Sequence, residues 1–449
     1  MVRIIKLRKG LDIQLQGKAE PVRIGLKPNG LYALQPEDFV GVVPKVIVKE
    51  GDEVRAGQPL FVNKNFPEVG FASPVSGVVE QVMRGDRRKV LYVKVRASKE
   101  QTFVDYGVAS PDKMDGRQVI DHLLKAGLFG YIEQLPYAVS TTPDEMPKSI
   151  VVSALRDKPL AADFEFELQG QEKDFQTGLD ALSRVAKVYL GVGARQSAEA
   201  LLEARNVEVV VFDGPCPAGN AGVQVNHLCP VNKGERVWTV DPTVVLFIGR
   251  LFNTGKVNLM RTVAFVGSEV KKPSYVDMLV GQELSTLIAN SLKHDSHVRL
   301  INGNVLTGKV TAKDGFLGAH VSEVTAIPEG DDVDELAGWI MPRFNQYSVN
   351  RSYFSWLFGK KEYALDARIK GGERHIIMSG EYDKVLPMDI YAEYLIKAII
   401  TGNIDRMEQL GIYEVAPEDF ALAEFVDSSK LELQRIVRQG LDMLRKENS

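Results

Sequence analysis

Apolar and polar positions along this chain fall into runs whose period changes several times. From Val185 to Leu190 the sequence is apolar and partly β-branched. Gly191-Val192-Gly193 then allows a tight turn, and Ser197–Arg205 places alanines and leucines at helical spacing. Val207–Phe212 is a second apolar run, ending in Asp213. Strand, glycine turn, helix and strand in that order predict a βαβ unit. Its acid stands twenty positions beyond Gly193, where a mononucleotide-binding half keeps a ribose-binding carboxylate. The third glycine of that pattern is replaced by Gln196, too bulky for close helix–strand packing. A scaffold without cofactor is therefore favoured, and dinucleotide binding through Gly191, Gly193 and Asp213 is the alternative. The next loop, Gly214–Gly222, has two prolines that remove N–H donors, so it suits packing between domains better than cradling an anion.

The flanking segments have their own periods. Pro44–Phe61 and Phe71–Val95 each carry strands around a charged turn, Glu50-Gly51-Asp52 and Arg84-Gly85-Asp86. Their wording resembles the barrel-sandwich fold of biotinyl and lipoyl carrier domains. Lys64 is nearest to the modified position of those carriers but lacks its usual neighbours, and is expected to be a plain surface lysine. Gly116–Ala126 predicts a helix stopped by Gly127, Ile150–Ala154 a strand, and Gln176–Val188 a helix. Val237–Gly249 and Thr262–Gly267 read as strands. Ser274–Met278, Gln282–Leu292 and Val298–Asn302 read as strand, helix and strand, an order that suggests a β-grasp domain. Helices are expected at Asp389–Thr401, Asp405–Gln409, Pro417–Phe425 and Ser428–Glu447.

Composition narrows the function. The 449 residues are 45% hydrophobic and 25% charged, enough for several cores, and a net charge of −4 argues against a large nucleic-acid footprint. Cys216 and Cys229 are too few for a disulfide framework or a cysteine-ligated cluster. No apolar run reaches the roughly eighteen residues of a membrane span, so any membrane association is expected to be peripheral. His227 and Cys229 lack further ligands and are read as structural, and His294 with His297 reads as a solvated turn in a charged segment. The most suggestive surface feature is Asn350–Lys361. There Tyr353, Phe354, Trp356, Leu357 and Phe358 are rimmed by Arg351, Lys360 and Lys361, a composition suited to a membrane interface or partner groove, or to a helix or hairpin with half of them in its core.

Six stretches together resemble one family along nearly the whole chain, the A subunit of the sodium-translocating NADH:quinone reductase. They are Lys9–Ile13 (KGLDI), Ser153–Asp163 (SALRDKPLAAD), Phe212–Gly222 (FDGPCPAGNAG), Gly249–Gly255 (GRLFNTG), Gly372–Ile390 (GERHIIMSGEYDKVLPMDI) and Pro417–Val426 (PEDFALAEFV). The related Rnf C subunit and the flavin-binding subunit of complex I share this kinship. The resemblance implies a multidomain α/β and α+β chain: a lipoyl-like barrel-sandwich over 1–100, a Rossmann-like α/β domain over 101–255 and a β-grasp domain over 256–330. A connecting region with the aromatic patch follows over 331–388, and a C-terminal helical domain over 389–449. It also implies a peripheral subunit on the cytoplasmic face of the bacterial inner membrane, docked on integral membrane and flavoprotein subunits. The complex would oxidise NADH, reduce ubiquinone and export Na⁺, carrying FAD, FMN, riboflavin and iron–sulfur groups as a whole. Cys216 stands where relatives often have histidine, and Ala423 and Asp427 stand where other members have cysteines. This subunit is therefore expected to hold no cluster there and no cofactor of its own. Arg351, Tyr353, Phe354, Trp356 and Phe358 are its candidates for a quinone or partner interface.

Overall fold

The computed structural model describes residues 3–333, 341–359 and 361–448; Lys360 of the aromatic patch and 334–340 of the connecting region lie outside them. The largest sheet has seven strands. In spatial order they are Arg3–Lys6, Glu208–Asp213, Val188–Gly193, Ser149–Ser153, Val237–Val240, Glu133–Leu135 and Val139–Ser140. The first five run parallel, and the last two are antiparallel additions. Ile150, Val151 and Val152 are all buried, as expected of a strand covered on both faces. From Ser149–Ser153 the chain winds first to one side, through Val188–Gly193 and Glu208–Asp213, then returns to the other side at Val237–Val240. The winding reverses between Ser149–Ser153 and Val237–Val240, which positions the site described below.

Two helices, Glu172–Val185 and Pro242–Thr254, pack against each other and share one core with this sheet. The second corrects the sequence reading, which ran a strand through to Gly249. The strand stops at Val240 because Pro242 presets a helical φ and the Asp241 carboxylate accepts from the Thr243 N–H at 2.9 Å. Pro242–Phe252 is buried on every side, so it shows no amphipathic period to betray a helix. Two predicted helices shrink to single turns, Glu199–Leu202 and Ser285–Ile288. A helix that the pattern did not show, Ala221–Leu228, leaves the proline loop.

The first thirty residues do not belong to the barrel alone. Arg3–Lys6 is an edge strand of the α/β sheet, and Arg23–Ile24 pairs with Ser274–Leu279 in the third domain. The barrel-sandwich begins at Leu31–Leu34, in a four-stranded sheet facing a three-stranded one. Phe39, Phe61 and Phe71 stack between the sheets, with ring centroids 4.2 and 4.8 Å apart. Lys64 is exposed in the turn after Pro59–Asn63. The third domain is a six-stranded mixed sheet with Met260–Val266 and Glu323–Pro328 parallel at its centre. The C-terminal helices, including Ala392–Ile400 and Leu433–Glu447, share one core with Leu7, Phe212 and Cys216 of the α/β domain. Among the described residues no helix is long and apolar enough to cross a membrane.

Candidate functional site

Parallel α/β sheets leave a crevice at the carboxyl ends of their strands where the winding reverses, because the two following loops part there. This protein has a cavity of about 600 Å³ at that place. Ser153 and Val240 end the two strands beneath it. The third domain adds His320 and Glu323, the barrel adds Asp38, and the C-terminal helices add Glu418 and Arg438. Four of the unusual stretches meet at this edge. Leu11 N–H donates to the Cys216 carbonyl at 2.8 Å, and Cys216 N–H donates to the Asp12 carboxylate at 2.9 Å. Gly219 N–H donates to Asp157 at 2.8 Å, while Asn220 Nδ2 donates to the Glu418 carbonyl and the Asp419 carboxylate. The proline loop is thus a packing loop, fastened on three sides.

Ion pairs line the cavity. Arg156 donates to Glu167 and to Thr243 Oγ1, both at 2.8 Å, and lies 3.4 Å from Asp241. Arg261 lies 3.6 Å from the same carboxylate. Burial works to raise the Asp241 pKa, but the two guanidinium groups outweigh it and hold the carboxyl below its ordinary range. Lys158 pairs with Glu418 at 2.6 Å. For other acids the nearby cations do not outweigh burial. Burial, with Glu418 nearby, pushes Glu133 up to about 7 and Asp419 to about 7, and burial lifts Asp157 to about 6. Burial also raises the Tyr131 hydroxyl and the Cys216 thiol, and lowers His320. Tyr131 lines the cavity, and its buried hydroxyl has no hydrogen-bond partner among the described residues.

The residues of the nucleotide alternative lie apart from this cavity. Gly191 and Gly193 lie within the strand Val188–Gly193, one strand away from the reversal, and neither lines the cavity. Where a pyrophosphate would lie, the chain places its own side chains. Gln196 Oε1 accepts from the Gly193 N–H at 2.7 Å, its Nε2 donates to the Ala154 carbonyl, and a Cβ on Gly191 would meet Gln224 at 1.9 Å. The Glu165 carboxylate accepts from the Ser197 and Ala198 N–H groups, just where the single helical turn begins. Asp213 ends a strand already covered by Arg3–Lys6 and is paired with Lys6 through the backbone.

Two other helix starts near the cavity hold a carboxylate as well. Asp241 caps Pro242–Thr254, and Asp419 packs against Gly222 at the head of Ala221–Leu228, where a Cβ would lie 2.1 Å from its carboxylate. Three internal carboxylates thus sit where the N-terminal ends of helices would otherwise attract an anion.

The aromatic patch is elsewhere. Phe354–Phe358 forms a 3₁₀ turn that buries Ser355 and leaves Phe354, Trp356, Leu357 and Phe358 at 54, 46, 59 and 58% exposure. Tyr353 is partly buried under Arg343. Of the five large side chains, four are exposed, so the expectation that half of them are core does not hold. Arg351 lies 5.4 Å above the Trp356 ring and Lys361 5.8 Å above Phe358. His227 bonds the Pro387 carbonyl at 2.8 Å, and Cys229 is buried. His294 and His297 pair with different carboxylates, Glu269 and Asp331. Asp427 accepts from the Ser429 and Leu431 N–H groups and shapes a turn. The sequence reading missed Tyr131, Glu133, Arg156, Lys158 and Arg438. The one local signal was Arg156-Asp157-Lys158, three charges directly after an apolar strand.

The chain's similarities follow the same domains. Residues 5–98 match the NqrA N-terminal barrel-sandwich hybrid domain, 114–257 the NqrA second alpha/beta domain and 262–313 the NQRA C-terminal domain. The A subunit of the Na(+)-translocating NADH-quinone reductase of Pasteurella multocida is 35% identical over 99% of this chain and 100% of its own length. The corresponding proteins of Yersinia pestis and Neisseria meningitidis are 34% and 33% identical over the same shares. With similarity end to end and all three domains matched, the chain belongs to the NqrA family, the A subunits of the Na(+)-translocating NADH-quinone reductase.

Proposed function

We propose that this chain is a cofactor-free peripheral subunit, docked on the membrane and flavoprotein subunits at the cytoplasmic face and meeting the quinone there. The observation that carries the cofactor-free reading is the occupation of the helix starts by Glu165, Asp241 and Asp419. A nucleotide phosphate would have to displace a carboxylate that is already bonded or packed in place. The strand order around Ser149–Ser153 favours calling this domain Rossmann-like, used here as a frame. The central parallel pair of the third domain favours a β-grasp kinship. Docking falls to the turn Phe354–Phe358, whose apolar side chains stand largely uncovered among the described residues. The quinone head group, neutral and rich in acceptors, suits the cavity, which Tyr131 lines and where its buried hydroxyl is a donor unpaired among the described residues.

Affinity purification from gently solubilised native membranes tests the proposal. The chain is expected to arrive with multi-spanning and flavin-containing proteins, and itself to show no flavin absorption and no NADH affinity. Replacing Trp356 and Phe358 with serine should reduce recovery of the complex several-fold, since each ring contributes roughly 1.5–3 kcal/mol when fully buried. Unchanged recovery would remove the turn from the docking surface. A soluble chain binding NADH would overturn the whole reading.

A further inference from the structure

Resting on that docking reading, we infer that the Phe354–Phe358 turn engages an anionic phospholipid surface, the bilayer beside the membrane subunits. Charge complementarity carries this choice of partner. From Met341 to Lys361 the sequence holds Arg343, Arg351, Lys360 and Lys361 and no carboxylate, although the chain as a whole is acidic at −4. Of the acids beside the patch, Glu381 accepts from Asn350 at 2.9 Å, and Glu362 is exposed next to Lys361.

Shape supports the same partner. Ser355 points inward, and the four large side chains around it stand out together with Phe344, itself 45% exposed and 5.7 Å from Phe358. Arg351 and Lys361 stack over the Trp356 and Phe358 rings, so positive charge sits beside the apolar surface. Tryptophan and phenylalanine with lysine and arginine beside them match the boundary between acyl chains and head groups. Rings enter the acyl region while the cations meet lipid phosphates, a pull that salt weakens. A protein groove would need acidic residues to meet these cations; a bilayer supplies phosphate over its whole area and needs no shape match.

Flotation of the purified full-length chain with vesicles tests the inference, comparing phosphatidylcholine alone with phosphatidylcholine containing phosphatidylglycerol. Binding is expected to the anionic vesicles, about tenfold weaker to neutral ones and strongly reduced by added salt. W356S/F358S should abolish it, and R351Q/K361Q should remove the preference for anionic lipid; unchanged circular dichroism would show that both variants fold. If the wild-type chain ignores anionic vesicles while W356S/F358S still fails to assemble, the partner is a protein: the lipid inference falls and the docking reading stands. If vesicle binding is absent and assembly is unaffected by the variant, both fall.

Discussion

Glu133 shows what a meeting point of domains does to one group. In the sequence it is one acid among apolar residues; in the structure it lies near Glu418 and Arg438, some 300 positions away. Burial raises its pKa from 4.5 to about 7. The folded protein then keeps a proton that the unfolded chain has lost. The stability this contributes is full below about pH 4.5 and is lost as pH rises through 7, with a slope of at most about 1.4 kcal/mol per pH unit. Asp157 and Asp419 act in the same direction and Asp241 in the opposite one, so a variant is needed to isolate Glu133. Glu133→Gln should melt with the wild type near pH 5 and above it at pH 8. A difference in melting temperature that is flat across this range would show that Glu133 does not hold the proton.

At the scale of elements, glycines set how closely the two long helices approach. A Cβ on Gly178 would lie 2.1 Å from the Val245 carbonyl oxygen, and one on Gly249 only 1.7 Å from that of Asp174. Neither glycine has a positive φ, so backbone freedom is not their purpose. Gly249→Ala gains about 1 kcal/mol of helix propensity. It also forces two backbones apart in a filled core, an overpacking cost of about 1–3 kcal/mol. Contact with backbone rather than a flexible side chain puts the cost at the upper end. A net loss of about 2 kcal/mol is expected in urea unfolding, and increased stability would refute the packing argument. The sequence marked Gly249 as part of an unusual stretch but placed it at a strand's end, because a helix buried all round has no polar face to give its period.

At the scale of the molecule, cohesion comes from segments that leave their own domain. Arg3–Lys6 and Arg23–Ile24 complete two sheets before the barrel begins, and Lys158 reaches Glu418 from the α/β domain to the C-terminal helices. Lys158→Met would leave Glu418 unneutralised beside Glu133 and Asp419. The pair is only partly buried, so a loss of about 1–2 kcal/mol is expected. Hydrogen exchange should quicken first in 417–447. An equal change across all domains would mean that the pair does not hold the helical end in place.

The sequence by itself determined the local elements wherever one face is wet or a stop signal is explicit. Gly116–Lys125 carries an Asp115 capping box and ends before Gly127, and Val298–Asn302 is bounded by polar turns. Its unusual stretches also identified the family, since long stretches of specific residues do not recur by chance. Tertiary structure alone decided the rest. It turned Pro242–Thr254 into a helix, put the winding reversal one strand away from Gly191 and Gly193, and filled their groove with Gln196 and Gln224. It also brought Tyr131, Glu133, Arg156, Lys158 and Arg438 around one cavity. Periodicity reports which side of an element faces water; it carries no information about which elements face each other, and the cavity is made of such meetings.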